Sequence, residues 1–413
     1  MISFRNSKKT HAYSVCSPTQ RFFNWLLLPF VIGLLTVSYV EGLSKIMVAY
    51  GFVICFFYLM HILYHKKRLH VQTEIALYFC WLMWALLGVT TAIDYALFSQ
   101  GVLTALQIGI MLLVVASITV MNDALSVVFV ALLIGGAIMA ISAVLSGELQ
   151  LASDIDSAVR AGGLTGNANN FAYNLLFIIF TVFYLFRQKP RFCIRLALIV
   201  IAALALLGII FSGSRKGFLG VLVFLSLWFF YCKARYISKK PLHTLILLMA
   251  LSTTLYTGAT LVMNRTYLGQ RLDAMRSKGS PVRVQLYKEG FDLIKAHPVI
   301  GVGLNNYIVH SSYKLYSHSD YIEVAANTGI IGFLLYFMVY AVLWRRLRRV
   351  ASRTTDARIL YFIGLTKACI VTILLLAFGR PNIASKVTWI FLAGIIGYAW
   401  AHEHHIAMAQ QHD

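Results

Sequence analysis

The chain has 413 residues, of which 59% are apolar and only 12% charged, and its mean hydropathy is +0.75. Soluble domains carry about 25% charged residues, so a water-soluble globular protein is excluded and a polytopic membrane protein is indicated. The net charge of +21 does not point to nucleic acid, because the basic residues are distributed over loops between apolar runs rather than gathered on one polar face.

A membrane-spanning helix needs about 20 largely apolar residues, since hydrocarbon tolerates only internally bonded backbone. Twelve windows meet or approach that length: Phe22 to Tyr39, Leu43 to Leu63, Ile75 to Ile93, Val102 to Met121, Ala124 to Leu145, Asn167 to Phe186, Ile194 to Phe211, Phe218 to Cys232, Leu242 to Met263, Tyr321 to Trp344, Ile359 to Phe378 and Ile383 to Trp400. The windows opening at Phe218 and Ile383 are short, so the count is about twelve. The expected fold is an all-α integral membrane protein. Residues 1–413 form a single polytopic membrane domain, and 263–320 form a long periplasmic loop containing an amphipathic helix.

Orientation follows from Lys and Arg, which collect in short cytoplasmic loops. Lys8 and Lys9, His65-Lys66-Lys67-Arg68, Arg187 with Lys189, Arg191 and Arg195, Lys233 with Arg235, Lys239 and Lys240, and Arg345-Arg346-Leu347-Arg348-Arg349 all fall on one side. Both termini are therefore expected in the cytoplasm, with the first apolar window retained as a helix. That arrangement leaves 14 of the 36 basic residues outside, more than the positive-inside rule explains. Eight of them lie between Met263 and Asp320: Arg265, Arg271, Arg276, Lys278, Arg283, Lys288, Lys295 and Lys314. Arg380, in a separate outer loop, joins them if the loops converge. Such a concentration points to an anionic ligand. The cysteines, Cys16, Cys55, Cys80, Cys193, Cys232 and Cys369, are all cytoplasmic or within helices on this topology, so no structural disulfide is expected.

Three places carry candidate chemistry. Ser212-Gly213-Ser214-Arg215-Lys216-Gly217 lies at the outer end of two adjoining helices, where small residues let backbone and ligand approach and Arg offers a planar fork to phosphate oxygens. Cations at a helix boundary serve equally well as snorkelling anchors. Further on, Ser280-Pro281 reads as a helix start, and Val282, Leu286, Leu293 and Ile294 recur at helical spacing opposite Arg283, Lys288, Glu289, Asp292 and Lys295. This is an amphipathic helix on the membrane surface or on the bundle, with a solvated charged face as the plain alternative. His297-Pro298-Val299-Ile300-Gly301-Val302-Gly303 then breaks the helix, its glycines read as turn residues and His297 as structural. The third place is His318, just before an apolar helix, with Asp320 at the capping position and Glu323 in the first turn. A histidine there can accept a proton near neutral pH, and a helix-end histidine without chemistry is the alternative. Asp154-Ile155-Asp156 and His402-Glu403-His404-His405 are weak metal signals, and no metal or other cofactor is expected.

Together these segments resemble the shared domain of O-antigen ligases and O-antigen polymerases. The resemblance rests on Ser-Gly-Ser-Arg215-Lys-Gly, on Arg283 leading into His297-Pro298 and Gly301-Val302-Gly303, on His318-Ser-Asp-Tyr321 closing on Asn327-Thr-Gly329-Ile-Ile-Gly332, and on Gly163-Leu-Thr-Gly166-Asn167-Ala-Asn169 upstream. It implies an inner-membrane, metal-independent, inverting glycosyltransferase that moves a glycan from undecaprenyl diphosphate to an acceptor sugar on the periplasmic face. Ligases use lipid A-core oligosaccharide as acceptor, and polymerases use another lipid-linked repeat. Carried over by position, Arg215 and Arg283 hold the diphosphate and His318 activates the acceptor hydroxyl. Lys216, Arg265, Asn167, Asp320, Tyr321 and Arg380 are the substrate-binding candidates. The family's frequent His-Asn pair is His318-Ser319 here. A reading from a different class, a lipid or polysaccharide transporter, calls for charges along a path through the bundle, and Lys367 is the clearest ionisable residue inside a helix.

Overall fold

The computed structural model describes residues 18–40, 42–66, 71–122, 124–148, 160–239 and 281–412, together with positions 242, 249 and 253. In chain order the helices are α1 (Pro18–Leu35), α2 (Ser44–Tyr64), α3 (Thr73–Leu86), α4 (Tyr95–Asn122), α5 (Leu125–Leu145), α6 (Ala168–Arg187), α7 (Phe192–Phe211), α8 (Arg215–Lys239), α9 (Pro281–Ala296), α10 (Tyr307–His310), α11 (Asp320–Arg353), α12 (Ala357–Ala377) and α13 (Lys386–His412). Among the described residues there is no strand.

Ten of these helices are long and apolar enough to cross a membrane. They fall on the first eight, the tenth and the eleventh apolar windows, so the all-α membrane architecture expected from composition is the one adopted. The ninth window, Leu242 to Met263, lies almost wholly outside the described residues. The twelfth forms α13, which opens on Lys386, runs into His402-Glu403-His404-His405 and is not among the ten. Burial accounts for its composition: Trp389, Ile390, Phe391, Leu392, Ile395 and Ile396 are each at most 1% exposed, so protein surrounds most of this helix and lipid does not select its residues.

The residues group into two compact units, each assembled from three stretches of chain. In the first (1–50, 127–279 and 355–372), α6 is the axis, buried at nearly every position from Phe171 to Leu185. Neighbouring helices reach it at glycines. A methyl group on Gly136 would lie 2.4 Å from Ile178, on Gly208 2.6 Å from Leu175, and on Gly217 2.6 Å from Ala172. Small residues at helix crossings are favoured in lipid because close packing, not water exclusion, holds the helices together.

The second unit comprises 51–126, 280–354 and 373–413. Tyr78, Trp81, Tyr336 and Trp389 form an aromatic core with ring centroids 4.9 to 5.6 Å apart. Toward the C-terminal end of α11, Arg346 is only 4% exposed and forks onto Glu74 of α3, with Nε–Oε1 at 2.7 Å and Nη2–Oε2 at 3.0 Å. Its Nη1 donates to Glu403 of α13, which also pairs with Arg349 at 2.8 Å. Buried charges are tolerable when each is met by several well-placed hydrogen bonds, and this network ties α3, α11 and α13 together.

Candidate functional site

In the second unit, the described part of the polar interval folds onto the N-terminal turns of α11. Pro281 is the first residue of α9, and Ser280 lies outside the described residues. Leu286 is fully buried with Tyr307, Ile322 and Ala326, and Val282, Tyr287, Leu293 and Ile294 pack against that cluster. The helically spaced apolar positions thus dock α9 on the bundle. Each such side chain contributes about 1.5–3 kcal/mol on full burial.

The chain after α9 threads against α11 where that helix is interrupted. Gly329 has φ 68° and ψ −176°, outside helical geometry. The amides of Val302 and Gly303 donate to the carbonyls of Ala326 and Asn327 at 2.9 and 3.0 Å, and Ile330 N donates to Pro298 O at 2.8 Å. The two backbones lie so close that a methyl group on Gly329 would sit 2.0 Å from Val299 O, and one on Gly301 2.5 Å from Asn327 C. These glycines are therefore close-approach positions, a stronger constraint than the turn role read from sequence. The loop is then anchored by the buried Asn306 side chain, which accepts from Ile93 N at 3.0 Å and Asp94 N at 2.8 Å and donates to Asp94 O at 3.0 Å.

Two polar side chains on one face of α11 hold the segment that leads into the helix. Asn327 accepts from Tyr307 N at 3.0 Å and donates to Glu323 at 3.3 Å, and the other Glu323 oxygen accepts from Ser317 N at 2.7 Å. Ser317 Oγ donates to Ser319 O at 2.8 Å and accepts from Ser319 N at 3.2 Å. Between these two buried serines, His318 is partly exposed at φ 60°. A left-handed non-glycine residue costs about 1–3 kcal/mol and persists only where its surroundings over-determine it. The serine bonds on both sides do that, and they fix the backbone of His318 just before the positive end of α11.

Asp320 and Tyr321 bring in a distant loop. Asp320 is 1% exposed. One of its oxygens accepts from Asn382 N at 2.7 Å and Ile383 N at 3.0 Å, and the other accepts from Tyr336 Oη at 3.1 Å. Ser319, not Asp320, is the N-cap residue of α11. The Tyr321 hydroxyl donates to Leu374 O at 2.9 Å and its ring lies 4.5 Å from Phe378. From α9, Tyr287 donates to Phe378 O at 2.8 Å. The segment carrying Arg380 is thereby fixed beside α11 and α9.

The outcome is legible at Tyr316, a residue the sequence did not single out. Its ring centroid lies 4.2 Å from that of His318. Burial pushes the Tyr316 phenol up, Arg380 and Arg283 act in the opposite direction through their charge, and Glu323 adds to the rise. Both arginines are therefore within electrostatic reach of the same phenol. Arg283 and Arg380 thus both act on the phenol whose ring lies against His318. No sequence signal marked Tyr316, because its relation to the arginines depends on helix α9 and on the loop of Arg380, more than 30 and 60 residues away in the chain. Nearby, burial lowers the basicity of His310, assisted by the charges of His297 and Lys314.

In the first unit, Arg215 and Lys216 are the first two residues of α8. The Ser-Gly-Ser turn before them is a double cap. Gly213 takes φ 59° and its amide donates to Ile210 O at 3.0 Å, closing α7. Ser214 Oγ accepts from Gly217 N at 3.3 Å, opening α8. Both serines are buried. Arg160 Nε donates to Ser212 O at 3.1 Å and its Nη2 to Asn169 Oδ1 at 3.3 Å, so a third cation, also missed in the sequence, braces this turn. Asn167 caps α6, accepting from Asn169 N and Asn170 N at 3.0 and 3.2 Å. Arg265 and the Asp154-Ile155-Asp156 pair lie outside the described residues. His402 and His404 face back to helix carbonyls, at 3.1 Å from Tyr398 O and 3.0 Å from Trp400 O.

Residues 200–337 match the O-antigen ligase family model. The resemblance carried by the motifs is thereby supported at the level of the O-antigen ligase and polymerase superfamily. The matched span contains Arg215, Lys216, Arg283, His318, Asp320 and Tyr321, while Asn167 and Arg380 lie outside it. No curated protein matches the chain. The protein has the helices of a multi-pass membrane protein, and about a third of its length is similar to the O-antigen ligase family.

Proposed function

We propose that the protein transfers a glycan from undecaprenyl diphosphate to an acceptor sugar on the periplasmic face of the inner membrane, without a metal and with inversion, and that it is ligase-like, with lipid A-core oligosaccharide as acceptor. The observation that supports this reading is a partly exposed imidazole, His318, packed against a tyrosine on which two arginines, Arg283 and Arg380, act. A polymerase of the same superfamily uses the same chemistry on a second lipid-linked repeat.

His318 takes the proton of the acceptor hydroxyl as that oxygen bonds to the anomeric carbon. The bond from that carbon to the diphosphate oxygen breaks on the opposite side, and the diphosphate departs with the electron pair. Its charge grows as the bond breaks, so cations fixed in advance stabilise the transition state more than the ground state. Arg283 and Arg380 are assigned to that charge from their placement, and Arg215 and Lys216 from their motif. Each charge-assisted hydrogen bond contributes about 1.5–3 kcal/mol. Arg265 is assigned a supporting role from its sequence position alone. Asp320 and Tyr321 have their polar atoms engaged with the protein, and Asn167 is a helix cap, so their contribution to substrate binding is to position the segments that carry the cations.

The test is a reaction of the purified protein in nanodiscs with an undecaprenyl diphosphate-linked glycan and either lipid A-core or a second lipid-linked glycan. Transfer to lipid A-core that persists in a chelator supports the ligase reading. Extension of the lipid-linked glycan alone supports the polymerase reading. Absence of product with both overturns the transferase assignment.

A further inference from the structure

Helix α9 has more than two faces. Successive residues of an α-helix turn by about 100°, so Val284, Lys288, Phe291 and Lys295 fall within an arc of about 60°. All four are exposed, Val284 and Phe291 each at 55%. Gln285, Asp292 and Ala296, also exposed, occupy the adjoining arc. Val282, Leu286 and Leu293 occupy the opposite side and meet the core. One arc is thus turned to protein, one is polar, and the third alternates apolar and cationic residues. Water gives no reason for a half-exposed phenylalanine and valine between two lysines.

The neighbours of α9 place it at the level where two spans end. Tyr287, next to the third arc, donates to the carbonyl of Phe378, the residue directly after the apolar helix α12, and Phe378 is itself 61% exposed. The core side of α9 packs on Ile322 and Ala326, near the start of the spanning helix α11. A surface at the end of spanning helices meets lipid headgroups, where an aromatic ring reaches the acyl boundary and lysines lie on phosphates.

We propose that the Val284-Lys288-Phe291-Lys295 arc of α9 docks on anionic phospholipid, with Val284 and Phe291 entering the headgroup-acyl boundary and the two lysines pairing with lipid phosphate. This gives two of the outer cations a partner other than the substrate, and it is independent of the proposed transferase activity.

The test places a photoreactive phenylalanine analogue, one position at a time, at 284, 291, 285 and 292 in the full-length protein in its own membrane. A fifth site is 334, since Leu334 is 55% exposed on the apolar part of α11. Intact mass after irradiation identifies the adduct. Phospholipid adducts are expected at 284, 291 and 334 and not at 285 and 292. A lipid adduct at 334 with none at 284 and 291 overturns the proposal, as does capture of a second copy of the chain, or of another protein, at 291. Absence of lipid at all three overturns it as well, by removing this unit from lipid contact. In nanodiscs of phosphatidylethanolamine and phosphatidylglycerol, the K288Q/K295Q variant should lower the share of phosphatidylglycerol among adducts at 291. An unchanged share overturns the anionic part of the proposal.

Discussion

Tyr316 and His318 lie ring against ring, 4.2 Å between centroids and 58° between planes, on either side of the buried Ser317. The contact couples the proposed base to a phenol that both Arg380 and Arg283 influence. It makes the imidazole part of a charged assembly, which the His318 motif alone does not convey.

If His318 takes the acceptor proton, it must be neutral before transfer, so the rate falls as pH drops through its titration. His318→Ala should lose transfer by a factor of about 10² to 10⁴ while retaining donor binding. Tyr316→Phe, which keeps the ring, should retain most activity, and Tyr316→Leu should raise the KM for acceptor. A His318→Gln enzyme with near wild-type rate and an unchanged pH profile refutes the base assignment.

Replacement of Arg215 or Arg283 by Ala should abolish or strongly reduce transfer with normal membrane insertion. Arg215→Lys should rescue poorly, because a point charge lacks the bidentate fork. Binding of undecaprenyl diphosphate to the purified variants separates the roles: near-normal affinity in both Ala variants removes diphosphate binding from these arginines.

The 263–320 interval is expected on the periplasmic side. Tyr313 is 47% exposed whereas Ser311 is 1% exposed, so cysteine at 313 is the informative probe. It should react with an impermeant thiol reagent added to intact spheroplasts. Reaction only after the membrane is opened reverses the orientation.

Gly329→Ala should prevent stable folding. The added methyl would meet Val299 O at 2.0 Å on a backbone with φ 68°, combining a steric overlap with a left-handed conformation that costs a non-glycine residue about 1–3 kcal/mol by itself. Thermal unfolding monitored by size exclusion in detergent measures it. Retention of the wild-type Tm would show that the helix interruption is not needed.

Glu289 ties α9 to the loop after α10. Its carboxylate accepts from Ser312 N at 3.2 Å, from the Ser312 hydroxyl and from Gln285 Nε2 at 3.1 Å. Burial acts upward on this carboxyl, but hydrogen bonds from Ser312, Gln285 and Ser311 together hold it below its ordinary value. The folded state therefore prefers the ionised form. Its contribution is fully present above the ordinary carboxylate range and is lost as pH falls through the lowered folded value. Hydrogen exchange at Ser312 should accelerate across that acid window in the wild type. In Glu289→Gln exchange should be faster at neutral pH, without that acid-side step, and a pH response identical to wild type would remove Glu289 from the role.

The spanning helices were readable one at a time, because the bilayer imposes a length and an apolar composition on each segment independently of its neighbours. The same local rule made visible a surplus of Lys and Arg on the side expected to be outer, and with it Arg283 and the amphipathic pattern of Val282, Leu286, Leu293 and Ile294. Proximity between distant segments has no such local signature. Only the tertiary structure decided that Gly301 and Gly329 face each other's backbones, that Asp320 fastens the loop of Arg380 some 60 residues away, and that Asn167 spends its side chain on capping α6. Tyr316 is the clearest case. Nothing in its neighbours along the chain distinguishes it from Tyr313, and what sets it apart is which charges the folded loops carry to its hydroxyl. Composition and period report the solvent each segment meets, whereas the site depends on which side chains meet each other.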